Sequence, residues 1–215
     1  PQRGRYREFY QCDIDIIGRD TLSVKNDAEF PAIIYTVFKK LDFGEFTIWL
    51  NNRKIINGLF EAVGLSDKKE DVMRVVDKFD KIGEQNVRLT LQDDYQIEKV
   101  VVDKLLSFLT FKGSNDQMLQ MMKNCGISND TFLEGVTELE EVIKCVRLQG
   151  VPENYFQIKL TIVRGLDYYT GTVFETTLND YLELGSVCGG GRYENLAGYY
   201  TDQKLPGVGI AIGLT

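Results

Sequence analysis

Two segments near the C-terminal end carry residue types suited to binding a small ligand. Arg164-Gly165-Leu166-Asp167-Tyr168-Tyr169-Thr170-Gly171 is followed some seventeen residues later by Cys188-Gly189-Gly190-Gly191-Arg192-Tyr193-Glu194-Asn195-Leu196. An arginine, two adjacent tyrosines and a triple glycine are the parts needed to hold a small zwitterion beside a phosphate. The guanidinium is a planar fork that grips carboxylate or phosphate and keeps its charge near neutral pH. Glycines let a ligand approach the backbone without meeting a Cβ. Each part also has a plain structural use. An arginine serves ion pairs, paired tyrosines serve cores and interfaces with tethered hydroxyls, and a glycine run serves turns.

Other chemistries are excluded by what is missing. Histidine is absent, so His-metal sites, Ser-His-Asp triads and imidazole bases cannot be built within these residues. Cys12, Cys125, Cys145 and Cys188 are scattered without a C-x-x-C pair, which reads as free thiols in a reducing compartment rather than zinc or a redox couple. There is no P-loop and no complete dinucleotide fingerprint. Chemistry here must run on carboxylates, arginines, tyrosines and the substrate's own groups.

The elements that position these residues follow from periodicity. Residues 6–17 alternate with period two, as in a strand. Tyr10, Cys12, Ile14 and Ile16 form an apolar face expected to enter the core. Phe9, Gln11, Asp13 and Asp15 form the opposite face, with an aromatic platform, an amide and two carboxylates spaced about 7 Å apart. That face suits either the floor of a site or a solvent-exposed strand surface. Asn26 or Asp27 is placed to cap a helix bearing Ile33, Ile34, Val37, Phe38 and Leu41. Phe46 to Leu50 reads as a strand, Asn51-Asn52 as a turn, and Ile55 to Val63 as a helix. After Pro152, Tyr155 to Val163 alternates again, followed by strands over Thr172–Leu178 and Tyr181–Cys188. Short turns between strands imply a largely antiparallel sheet. Gly207 to Thr215 reads as a glycine-rich helix start.

Between Ser66 and Gly150 the texture changes to successive amphipathic helices: one from Ser66 closed by Gly83, then others near 95–111, 115–124 and 130–149. The fold class is therefore α+β, with three units: 1–65 as core, 66–150 as a helical insertion, and 151–215 as core. The chain has 215 residues, 43% hydrophobic and 27% charged, enough for one substantial domain with an insertion. No apolar run approaches the ~20 residues that cross a bilayer. The formal net charge of −7 argues against a broad nucleic-acid surface.

The two signature segments, together with Pro1-Gln2-Arg3-Gly4-Arg5-Tyr6-Arg7-Glu8-Phe9-Tyr10-Gln11, resemble in family order the motifs of histidyl-tRNA synthetases. These class II enzymes activate histidine with ATP and pass it to tRNA. The resemblance implies a mostly antiparallel class II sheet flanked by helices, in which Arg164 is catalytic. It implies histidine contacts from Gln11 at the α-amino group, Asp15 at the imidazole N–H, and Arg164, Tyr168, Tyr169, Gly189 and Gly190. Many bacterial members carry glutamate where Asp15 stands. Arg5 corresponds to the arginine that reaches toward the ATP phosphates and Phe9 to the ring on which adenine stacks. The family further implies ATP with Mg2+, for which no protein metal ligands are identified, tRNA as a partner, a homodimer, no membrane, and a cytoplasmic location. Its insertion approaches the tRNA acceptor end, although residues 66–150 hold 12 Lys and Arg against 16 Asp and Glu.

A first residue other than methionine and the glycine-rich end suggest a piece of a longer protein, and the isolated segment is expected to be nearly inactive. Two other readings compete. A regulatory paralogue would keep the fold as a histidine sensor or assembly subunit, but such proteins tend to lose parts of the arginine and double-tyrosine segment that is intact here. An unrelated nucleotide-binding α/β domain would leave three ordered matches to accident.

Overall fold

Alternating sequence becomes a six-stranded sheet. The computed structural model describes residues 7–162 and 168–214, with the backbone alone at Asp80, Ala197 and Tyr199. Among the described residues the strands are β1 (Gln11–Ile17), β2 (Phe46–Asn52), β3 (Phe156–Ile158), β4 (Tyr169–Leu178), β5 (Ser186–Tyr193) and β6 (Gly207–Gly213). Their order is β1-β6-β5-β4-β2-β3. All neighbours are antiparallel except β2 and β3. The parallel pair has a topological cause: the entire helical block lies between β2 and β3, and only such a crossover returns a strand in the same direction.

The helices are α1 (Glu29–Leu41), α2 (Arg53–Ala62), α3 (Lys69–Val76), α4 (Phe79–Leu89), α5 (Lys99–Leu109), α6 (Asn115–Asn124) and α7 (Asp130–Leu148). In α1, Phe30, Ile34 and Phe38 recur every fourth residue, so one stripe is buried. Phe30 meets Phe174 of β4, with ring centroids 6.1 Å apart. Asn52 ends β2 and caps α2 by accepting from Lys54 N–H. The α7 helix packs on α2 through two glycines. A Cβ at Gly58 would meet Phe132 Cβ at 2.6 Å, and one at Gly135 would meet Ile55 N at 2.7 Å. Asn129 caps α7 and donates to Gly58 O at 2.8 Å, joining the same two helices. One hydrophobic cluster runs from these helices to the inner face of the sheet.

Several expectations are corrected. Gly207 to Gly213 is not a helix start but strand β6, held between β1 and β5. Its glycines alternate with Val208, Ile210 and Ile212, which are buried, so the period is two and the glycine content misleads. The strand expected over Tyr181–Cys188 begins only at Ser186; Leu182–Leu184 is a 3-10 turn with exposed leucines. The glycines of β5 form a strand because ladders on both sides outweigh their weak propensity. β3 is three residues long, although Leu160 and Ile162 are buried beyond it.

At Gly83 (φ 79°, ψ 162°) the helix breaks, yet the chain turns helical again to Leu89. Asn51 and Asn52 belong to β2 rather than a turn. Neither Asn26 nor Asp27 caps α1, since a short 3-10 segment capped by Ser23 precedes it. Ile14 and Ile16 pack on the core as expected. Tyr10 and Cys12 are exposed, because they lie at the outer end of an edge strand.

Candidate active site

Register decides which side chains share the outer face of the sheet. Asp15 pairs with Gly209, Asp13 with Ala211 and Gln11 with Gly213. Gly209 pairs in turn with Gly191, and Gly207 with Tyr193. These residues therefore lie on one face, opposite that of Val208, Ile210 and Ile212. The centre of this face is a floor of glycines on β5 and β6, bordered by the β1 carboxylates on one side and tyrosines on the other.

The glycines are sterically required. A Cβ at Gly209 would collide with the Asp15 carboxylate, and one at Gly207 with the Tyr193 ring. One at Gly191 would lie 3.0 Å from the Tyr169 ring. Tyr193 donates its hydroxyl to Asp15 Oδ1 at 2.8 Å. Tyr168 meets Tyr169 edge-on at 4.6 Å between centroids and Tyr193 at 6.3 Å. Asp15 and three phenols thus converge above side-chain-free backbone.

The local electrostatics follow from this crowding. Burial pushes the Tyr169 phenol above its ordinary range, aided by its hydrogen bond with Tyr168 and by the Asp15 charge. Burial also raises Tyr193, reinforced by its bond to Asp15. Both remain protonated donors at neutral pH.

Beneath the floor, Arg192 points to the inner face. Its Nη2 lies 2.6 Å from Asp27 Oδ1, and its Nε bonds both carboxylate oxygens at 3.1 and 3.0 Å. It also donates to Leu22 O and Ser23 O at 3.0 and 2.8 Å. Burial raises the Asp27 pKa while Arg192 opposes the rise. Arg192 is thus spent on anchoring the segment after β1.

Among the residues singled out from sequence, Asp15, Tyr168 and Tyr169 meet. Tyr168 and Tyr169 are neighbours in the chain whose rings also touch. Gln11 shares the face but lies four residues from Asp15 along β1, and Phe9 is exposed before the strand. Gly189 and Gly190 lie on opposite faces, since Gly190 pairs with Phe174 and Ile210 and a Cβ there would strike Gly209 O. With β5 paired on both sides, its peptide groups serve the ladders, so these glycines contribute missing side chains rather than free amides. Arg5 and Arg164 lie outside the described residues. Tyr193, Gly207 and Gly209 have no role in the sequence reading. Their signal was the Gly-x-Gly alternation of β6 and the tyrosine directly after Arg192. Among the described residues, no group of three or more His, Cys, Asp or Glu could hold a metal ion, and no helix is long and apolar enough to cross a membrane.

The family model described as histidyl-tRNA synthetase matches residues 1–215. The chain belongs to the histidyl-tRNA synthetase family. A histidine–tRNA ligase of Clostridium tetani is 55% identical over 214 residues, covering all of this chain and 48% of the relative. One of Xanthomonas campestris is 50% identical over 221 residues, covering 46% of its length. The chain therefore spans about half the length of the curated relatives it matches. The crystal structure of histidyl-tRNA synthetase from Nostoc sp. PCC 7120 superposes with a TM-score of 0.94 at 44% identity, over 99% of this chain and 50% of that one. A Bacillus halodurans protein described as an ATP phosphoribosyltransferase regulatory subunit/histidyl-tRNA synthetase shares the fold, at a TM-score of 0.79 and 21% identity, over 95% of this chain and 51% of that one.

Proposed function

We propose that the protein carrying this chain is a histidine–tRNA ligase, and that the glycine floor with Asp15, Tyr168 and Tyr169 is its histidine pocket. The observation that carries this reading is the convergence of one carboxylate and three phenols over backbone without side chains. Such a recess fits a ring with polar edges. Asp15 accepts from an imidazole N–H, and Tyr169 offers its hydroxyl to the same ring. Gln11 serves the α-amino group. A wrong amino acid would leave the carboxylate and hydroxyls unpaired, which costs about 10⁴–10⁵-fold in rate.

In the proposed reaction, a carboxylate oxygen of histidine attacks the α-phosphorus of ATP. The new acyl–phosphate bond forms as the bond to the β-phosphate breaks and pyrophosphate leaves. Two anions approach, so fixed positive charge is needed where it strengthens in the transition state. Arg164 supplies it as the catalytic group, with Arg5 on the phosphates and Phe9 beneath adenine. Mg2+ is bound by phosphates with few protein ligands in many such sites, and it is proposed to arrive with the nucleotide. The histidyl group then passes to the 3′ end of tRNA: a terminal hydroxyl oxygen forms the ester as the acyl–phosphate bond breaks, AMP leaves and the hydroxyl proton is released. A homodimer, a cytoplasmic location and the role of residues 66–150 as an insertion beside the tRNA are part of the same proposal.

The competing reading, a synthetase-like regulatory subunit, has the fold in its favour, as the Bacillus halodurans protein carries it. The full-length protein should charge only histidine-accepting tRNA, and Arg164→Ala should slow activation by roughly 10²–10³-fold or more with the fold intact. Absence of charging by the wild type would favour the regulatory reading. Normal charging by the variant would remove Arg164 from the catalytic role.

A further inference from the structure

Asn51 is fully buried in β2, opposite Val173 of β4. Its Nδ2 donates to two carbonyls of another segment, Leu160 O at 3.2 Å and Ile162 O at 2.9 Å. Its Oδ1 accepts from the Asn52 N–H at 2.8 Å. Ile162 stands two positions before Arg164 in the chain. The regular pairing of β3 with β2 ends at Ile158, and Lys159 N–H to Leu50 O at 2.9 Å is the last backbone bond of that ladder. From there to Ile162 the Asn51 amide takes over the holding of this segment on β2.

Only an asparagine satisfies all three partners. The two carbonyls need two N–H donors on one atom, and the Asn52 amide needs an acceptor beside them. An aspartate would set a carboxylate against two carbonyl oxygens, and an apolar residue would leave three buried polar groups unpaired. Asn51 also has backbone pairing with β4 just beyond Tyr168 and Tyr169. Its side chain thus holds the chain up to Ile162, and its register partner on β4 is Val173, four residues beyond Tyr169. Immediately upstream, Asn115 of α6 works the same way on β3, donating to Phe156 O at 3.2 Å and accepting from Ile158 N–H at 2.8 Å.

We propose that Asn51 is a positioning residue that fixes the entry of the Arg164 segment, acting on histidine activation through Arg164 without touching the substrate. The proposal rests on the role given to Arg164 above. It is tested in the full-length protein by Asn51→Asp and Asn51→Ser, with Arg164→Ala in parallel. Circular dichroism identifies which variants are folded under the assay conditions.

The expected result is a fall in kcat/KM for histidine of about 10²-fold, as for a misplaced catalytic group. Backbone hydrogen exchange should quicken across residues 159–162. The Asn51→Asp loss should shrink as pH falls, because the introduced buried carboxyl has a raised pKa and, once protonated, donates one of the missing bonds. Asn51→Ser should show no such recovery. A purely structural role would move the unfolding midpoint but leave the kinetics of the folded enzyme, and their pH dependence, at wild-type values. That result overturns the proposal, as does failure of both variants to fold, which would make Asn51 a packing requirement only. If Arg164→Ala charges normally, the reading of the site has failed. If Arg164→Ala is inactive while the Asn51 variants are normal, the Asn51 inference alone has failed.

Discussion

Asp15 shows how much one side chain depends on residues that have none. Its carboxylate lies where a Cβ on Gly209 would stand, and among the described residues it accepts from the Tyr193 hydroxyl. Gly209→Ala should therefore push Asp15 aside and lower kcat/KM for histidine by about 10²-fold, since displacements near 1 Å carry costs of that order. Tyr193→Phe leaves the carboxylate in place but unheld. It should raise the histidine KM by roughly tenfold, the value of a hydrogen bond to a charged group, with the ATP KM nearly unchanged. Steady-state pyrophosphate exchange on both variants separates the two effects. An equal change in the KM for ATP and histidine would place this cluster outside the amino-acid pocket. Asp15 and the tyrosines were legible from the motifs. Tyr193 has no role in a linear reading, since nothing there brings it across β6 to Asp15.

β5 is where one element carries both the site and its foundation. Its odd positions Gly189, Gly191 and Tyr193 face the floor, while Cys188, Gly190 and Arg192 face the helices. Burial holds the Cys188 thiol up at about 12, so it behaves as a small apolar filler. Arg192 and Asp27 are both nearly inaccessible, with side-chain exposures of 7% and 0%. Removing one partner strands a buried charge, and Arg192→Ala should cost about 3–5 kcal/mol. Arg192→Met with Asp27→Leu should cost markedly less, because no charge is left behind. Urea unfolding of the full-length variants checks this, and equal costs for the single and double changes would show that the pair is not coupled. The sequence places an arginine after three glycines. It does not say that this arginine turns to the inner face and pairs with Asp27, because the choice of face depends on the register of β5 against β4 and β6.

The assembled sheet also gives the protein a particular response to alkali. Tyr169 and Tyr193 are held above their ordinary pKa of 10.0, first by burial and then by their bonds to Tyr168 and Asp15. A phenol with a higher pKa folded than unfolded stabilises the fold fully below pH 10.0 and loses that contribution as pH rises above it. The thermal midpoint should thus fall from roughly pH 10 upward, beyond what lysine titration gives. Tyr169→Phe with Tyr193→Phe should flatten that part of the curve relative to wild type. An unchanged slope would mean that the two phenols titrate in the fold as they do in the unfolded chain.

Composition and period, read along the chain, were enough for the α+β class, the mostly antiparallel sheet, the inner stripe of α2 and the helices 115–124 and 130–149, because these are local patterns with a single way to bury their apolar face; in α1 the expected Leu41 is exposed and Phe30 is buried in the stripe instead. The family motifs were legible for the same reason: residue types at short spacing survive without coordinates. What no linear reading could supply was the pairing of distant strands. Gly207–Gly213 is a strand only because β1 and β5 flank it, Asp15 meets Tyr193 only through the register across β6, and Asn51 reaches Leu160 and Ile162 only because a helical crossover returns β3 beside β2. The Asn51 and Asp15–Tyr193 contacts join residues more than a hundred positions apart. Their energies depend on burial and alignment that exist once the chain has closed on itself, and so they belong to the folded molecule rather than to any stretch of its sequence.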